Sequence, residues 1–280
     1  MTAGALHPWN GSFRWRRPGI NPRRLANDQV DSFHRNGWLI VEDLLDQTTI
    51  ANLTADLDTI EVEAAAFIRA QSDRRLVISG SDAITFAPHV VLSSVAAHQV
   101  SRSLPITDLC HDLLGPDVRL YWDQLVYKHP DKLREFPWHQ DNGYAYVNPQ
   151  QYLTIWLALT DATVDNGCPW VAPAEHTRGT LAHRYAHPLG LFCFDNHPKA
   201  TTAPVRAGGA VVFSSLTPHR TGPNTTASTR KAYILQYAPN GAEVLQGDPT
   251  VGPPTGRVIQ DDPTRQYDVL RNGAPTGAAG

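Results

Sequence analysis

Leu153-Thr154-Ile155-Trp156-Leu157-Ala158-Leu159 is the clearest strand in the chain. Side chains on an extended backbone alternate between faces. Ile155, Leu157 and Leu159 therefore share one face, and Thr154, Trp156 and Ala158 the other. Asp165-Asn166-Gly167 supplies a tight turn, and residues 168–172 return as a second strand. Outward from this hairpin, residues 118–128, 138–146, 203–206, 210–213 and 231–238 are strand-like, rich in Val, Leu, Ile, Tyr and Trp.

Helices precede the strands. Residues 27–36 read as a short helix capped by Asn27 or Asp28 and ended by Gly37. Trp38 to Val41 is a short strand, and Ile50, Leu53, Leu57 and Ile60 form one face of a helix over 47–71. A third helix runs from Pro105 to Leu114, with Gly115 as its stop. Residues 76–78 suit a strand, 79–81 a turn, and 86–100 an irregular or helical segment. Helices first and strands after give an α+β protein with a jelly-roll sandwich or barrel. The chain is expected to form a single domain: an arm over residues 1–26, a core over 27–240, and a Gly- and Pro-rich tail packed on the surface over 241–280.

With 280 residues and 41% hydrophobic content, the chain can bury a full core. A net charge of −3 gives no polybasic face for nucleic acid or anionic membrane. Arg14, Arg16, Arg17, Arg23 and Arg24 read as a solvated N-terminal cluster. Cys110, Cys168 and Cys193 include no C-x-x-C pair, which argues against a disulfide framework or structural zinc. No signal peptide or membrane-spanning run is apparent, so a cytoplasmic setting is expected.

The chemistry is concentrated in Trp138-His139-Gln140-Asp141, with His219 and Arg230 further on. Two histidines and a carboxylate are the ligand set of a non-haem iron(II) oxygenase, which leaves positions open for cosubstrate and dioxygen. On a strand, residues two apart aim into one cavity. H-x-D alone is a weak signal, because His129-Pro130-Asp131 repeats it. There the proline and the polar run 131–135 suggest a loop. Asn142 and Tyr144 are candidates for substrate contact, and Lys128 is either a packed surface lysine or a pocket cation. His176, His183, His187 and His197 lie in an expected long loop over 176–200, with surface or substrate-loop roles.

Taken in order, residues 138–141, 153–159 and 165–168 resemble the phytanoyl-CoA dioxygenase family, as does the opening stretch from Phe33 to Val41. The similarity covers roughly residues 27–240. The resemblance implies a double-stranded β-helix that uses iron(II), 2-oxoglutarate and dioxygen. It implies iron ligands at His139, Asp141 and His219, and it places the distal carboxylate of 2-oxoglutarate on Arg230, whose planar fork takes both oxygens. Trp156 matches a tryptophan lining the cosubstrate pocket, and the strand 124–128, through Gln124 or Tyr127, is expected to contribute as well. Asp141 blocks the position that related halogenases leave open for chloride. Pro173-Ala174-Glu175-His176 departs from the Pro-Gly-Ser-His common in the family. The implied reaction is hydroxylation of an unactivated C–H bond of a small molecule of secondary metabolism or of acyl type, with succinate and CO2 released. Desaturation, epoxidation or ring closure would use the same ligands. A non-oxidative cupin-like metal protein, or a binding protein that has lost catalysis, are the alternatives from other classes.

Overall fold

Helix Asn27–Asn36 hands over to strand Trp38–Val41 through Gly37, which sits in the left-handed region at φ 83°. A Cβ at Gly37 would lie 2.5–2.6 Å from the His176 ring and the Thr217 hydroxyl, so the close approach requires glycine. The computed structural model describes residues 4–277 apart from 12, 71–74, 77–78, 81–82, 131–134 and 187–189. Asp131, the carboxylate of the second H-x-D, lies outside the described residues, as do His187 and half of the stretch read as a strand and turn over 76–81; Ser79–Gly80, expected in the turn, instead pairs as a short strand with Arg75–Leu76.

A large antiparallel sheet runs in the order Trp38–Val41, Ala210–Ser214, Leu153–Ala158, Arg230–Pro239, Val118–Lys128, Ile84–Pro88. One face packs on helices Gln47–Arg69 and Leu104–Leu114: Leu53, Leu57, Ile106 and Leu109 meet Leu125, Ile155, Leu157 and Leu235. Each such buried leucine contributes roughly 2 kcal/mol. The other face carries Val126, Trp156, Ala158, Phe213 and Ile234. The alternation read from residues 153–159 therefore holds, with Ile155 and Leu157 toward the helices and Trp156 and Ala158 toward the interior. A second sheet, in the order Thr201–Thr202, Pro169–Val171, His219–Thr221, Phe136–His139, completes the jelly roll.

Three expectations are corrected. The strand expected over 138–146 ends at His139, and Asp141–Gly143 forms a 3-10 turn. Residues 203–206 make only an isolated bridge, Ala162 to Val205, since Pro204 has no N–H for a ladder. Within 86–100 a strand, Ile84–Pro88, precedes the short helix Val95–Val100. The tail does more than lie on the surface: Asp268–Arg271 pairs with Val118–Lys128, and Leu270 is fully buried. The arm ties down residues 178–181 through a Leu6–Leu181 bridge and Asn10 Nδ2 donating to the Arg178 and Thr180 carbonyls.

Candidate active site

His139 and His219 sit opposite each other on paired strands of the smaller sheet, with ring centroids 4.1 Å apart. Although the strand stops at His139, Gln140 stays extended at φ −107°, ψ 144°. Asp141 therefore returns to the His139 side before the chain turns. Its Oδ1 lies 3.9 Å from His139 Nε2 and 3.6 Å from His219 Nε2, and the three ligand atoms fall within 4.8 Å of one another.

Each imidazole is oriented from behind. His139 Nδ1 donates to the Pro137 carbonyl at 2.8 Å, and His219 Nδ1 to the Thr217 carbonyl at 3.0 Å. Both Nε2 lone pairs are thereby left facing Asp141. Burial, reinforced by His219, lowers the His139 pKa to about 3; burial lowers that of His219 to about 4. Two neutral imidazoles and a carboxylate converging from three backbone positions fit a divalent first-row metal with open sites. Asp141 Oδ2 accepts from the Thr154 hydroxyl. Removing that hydroxyl leaves the carboxylate with the Gln236 side chain as its other side-chain donor. Thr154→Val is expected to weaken iron(II) binding by about 10-fold, the low end for such supporting contacts, as read by metal titration; unchanged affinity would show that the contact does not orient Asp141.

Between the ligands, Gln140 points the other way and acts as a brace. Its Nε2 donates to the Gly179 and Leu216 carbonyls, and its Oε1 accepts from Leu181 N–H. Asn142 is likewise committed, to Thr180 Oγ1 and Val147 N–H, and so is not free for substrate. His183 Nε2 accepts from Gln140 N–H at 2.9 Å while its Nδ1 donates to the Leu181 carbonyl. A Cβ on Gly143 would meet the His183 ring at 2.3 Å. His183 is thus a positioning residue, not a surface one, and no periodicity or spacing signals it.

His176 and His197, the other described loop histidines, also have structural partners. His176 is fully buried, edge-on to Trp15 at 4.4 Å, and His197 lies 3.4 Å from Glu175. Glu175 also takes Arg178 Nη1 at 2.7 Å, so the Ala-Glu departure builds an ion pair within the 3-10 turn Glu175–Arg178. Ala174 holds φ 66° without being glycine. Ala174→Gly should raise stability by up to about 1 kcal/mol, the left-handed strain relieved less the entropy lost. Thermal unfolding checks this, and a lower midpoint would mean that the Ala174 methyl contributes more than its strain costs.

A cavity of about 350 Å³ opens beside the three ligands and reaches Arg230. Arg230 is 1% exposed, its guanidinium 4.9 Å over the Trp156 ring. Its Nη1 donates to the Val126 carbonyl at 3.4 Å, its Nε has no partner, and among the described residues no carboxylate pairs with it. Burial lowers its pKa to about 10, so it stays charged at neutral pH. A buried guanidinium without a counter-ion is costly, and a ligand carboxylate would relieve it. Gln124 lines the same cavity, its Oε1 accepting from Trp122 Nε1. Tyr127 does not: its hydroxyl donates to Asp58 on the helix-covered face, because odd positions at this end of the strand point outward. Lys128 is buried near Thr221 Oγ1 at 3.5 Å. Tyr144 does reach the cavity, edge-on to His139 at 5.4 Å.

The phytanoyl-CoA dioxygenase (PhyH) family profile matches residues 33–232. The chain is 26% identical over 217 residues to a methylphosphonate hydroxylase of Gimesia maris, covering 76% of this chain and 80% of that one. It is 25% identical over 251 residues to an ectoine dioxygenase of Bordetella bronchiseptica, covering 81% and 79%. Among solved structures, the non-heme alpha ketoglutarate dependent carbocyclase SnoK from nogalamycin biosynthesis superposes with a TM-score of 0.66 at 20% identity over 80% of this chain and 89% of that one, a likeness of fold. With most of its length matching the family profile, the chain belongs to the phytanoyl-CoA dioxygenase family and is a 2-oxoglutarate-dependent dioxygenase that uses iron(II) and dioxygen.

Proposed function

We propose that His139, Asp141 and His219 hold the iron, that Arg230 with Trp156 holds the far carboxylate of 2-oxoglutarate, and that the enzyme hydroxylates an unactivated C–H bond of a small molecule. The single observation that carries this is Arg230: a fully buried guanidinium with no carboxylate partner among the described residues, in the cavity that the three ligands face. When bound, iron and 2-oxoglutarate supply the oxidation, with succinate and CO2 as coproducts. The protein's part is to orient and to exclude water. The carbonyls of Pro137 and Thr217 fix the imidazole tautomers, Thr154 fixes the carboxylate, and Trp156 covers the guanidinium face. Gln124 is placed to contact the cosubstrate from the neighbouring strand. Residues 27–240 act as the catalytic core, with the arm and tail as parts of the same domain. The three cysteines are unpaired, which suits a reducing, cytoplasmic setting.

The test is direct. Protein purified without oxygen is given iron(II), ascorbate and 2-oxoglutarate, and oxygen is then admitted. Succinate formation supports the assignment; its absence, with and without candidate substrates, counts against it.

A further inference from the structure

We propose that Tyr121 and Tyr152 form a pair of hydrogen-bond donors that recognises an oxygen of the substrate, and that the part of the substrate held in the cavity is an uncharged, mostly apolar ring system. The proposal rests on the metal and cosubstrate assignment above.

Tyr121 owes its position to a bulge. Across the long strand pair, Gln236 opposes Trp122 and Tyr237 opposes Leu120, so Tyr121 is the extra residue. A bulge re-aims a side chain, and here Tyr121 and Trp122 both line the cavity. Tyr152 immediately precedes strand Leu153–Ala158, which lies on the far side of Arg230–Pro239 from Val118–Lys128, and it is fixed by its N–H donating to Ser215 Oγ at 3.1 Å. The two rings meet edge to face, 5.4 Å between centroids.

Both rings are more than nine-tenths buried, Tyr121 7% and Tyr152 2% exposed. Buried tyrosines usually place the hydroxyl on a partner. Tyr127, Tyr146, Tyr233 and Tyr237 all do so, on Asp58, the Trp9 carbonyl, Asp123 and the Ser101 carbonyl. Tyr121 and Tyr152 have no hydroxyl partner among the described residues, and both line the cavity with Asp141. Burial, and after it the Asp141 charge, raises both phenols; that of Tyr121 is pushed up to about 12. Both therefore remain donors at any working pH.

The rest of the wall sets the substrate class. Among the described residues that line the cavity, the charged side chains are Arg230 and Asp141, one assigned to the cosubstrate and one to the metal. Phe86, Trp122, Val126, Phe136, Phe213 and Ile234 supply flat, apolar surface. A phosphonate, carboxylate or ammonium on the substrate would be buried with no counter-ion among the described residues, at a cost of several kcal/mol.

Three probes of one shape test this: tetralin, 1-tetralone and tetralin-2-carboxylate. Binding to the oxygen-free protein loaded with iron(II) and 2-oxoglutarate is read by quenching of tryptophan fluorescence, since Trp122 and Trp156 lie on the wall. One hydrogen bond of about 1 kcal/mol corresponds to about fivefold in affinity. With two such bonds the wild type is expected to bind 1-tetralone about 25-fold tighter than tetralin, and the carboxylate most weakly. Tyr121→Phe and Tyr152→Phe should each cut the ketone's advantage by about fivefold while leaving the tetralin dissociation constant and the melting temperature near wild type. Equal binding of ketone and hydrocarbon, an advantage untouched in both variants, or preferred binding of the carboxylate would each overturn the proposal. Weaker 2-oxoglutarate binding in the variants would also overturn it, assigning the phenols to the cosubstrate. Failure of the underlying assignment shows separately, as no 2-oxoglutarate binding in the wild type.

Discussion

Arg230→Ala is expected to raise the 2-oxoglutarate concentration for half-maximal succinate formation by about 30-fold or more, with iron(II) affinity nearly unchanged. Truncating one partner of a buried, hydrogen-bonded charge pair costs about 2 kcal/mol or more, and about 1.4 kcal/mol is tenfold. Arg230 lies at the start of strand Arg230–Pro239 and makes no contact with His139, Asp141 or His219. The metal should therefore bind in the variant as before. Arg230→Lys keeps a charge but loses the planar fork, so it should recover only part of the affinity. Two titrations decide the matter, one of 2-oxoglutarate and one of iron(II). Loss of iron in Arg230→Ala, or an unchanged 2-oxoglutarate requirement, would contradict the role assigned to it.

Asp141→Ala is expected to abolish succinate formation and to weaken iron(II) binding by more than about 100-fold. The lower bound follows from supporting residues alone, whose loss costs about 10- to 100-fold; Asp141 is assigned as a ligand itself. Its removal leaves Thr154 without its acceptor and the two imidazoles still aimed by Pro137 and Thr217. The fold should persist, because the turn at 141–143 is braced through Gln140, Asn142 and His183 rather than through the carboxylate. The cleanest readout is thermal: a metal that binds only the native state raises the melting temperature. Iron(II) should raise it in the wild type and not in Asp141→Ala. An equal rise in both would remove Asp141 from the ligand set.

Much of the core was legible because its elements repeat local rules. The pattern of residues 153–159 placed Trp156 and Ile155 on opposite faces, and Gly37 and Gly115 marked two helix ends. The strand expected to carry both His139 and Asp141 was too long, since Gly143 and the His183 ring stacked on it end the extended run. The extended conformation of Gln140 alone was enough to bring imidazole and carboxylate to one side.

The choice between Gln124 and Tyr127 shows where local rules stop. Alternation separates them onto opposite faces, but both faces of strand Val118–Lys128 are buried, one under helices and one around the cavity. An apolar pattern on both sides does not say which side is the interior. The bulge at Tyr121 adds a second ambiguity, because it shifts the parity along the strand.

The sequence by itself determined the donor types, His139, Asp141 and His219, the cation Arg230, and the strand-rich order that holds them. The strand order follows from periodicity and the H-x-D pair from residue chemistry, which are properties of short stretches, while the choice of His219 and Arg230 is what the family resemblance implies. Only the tertiary structure decided which face of each strand looks inward, that residues 179–183 brace the Gln140 turn, and that two phenols from separate segments, without a hydroxyl partner among the described residues, meet beside Asp141. Those depend on pairing between segments far apart in the chain, and the register of such pairs is set by packing across the whole sheet.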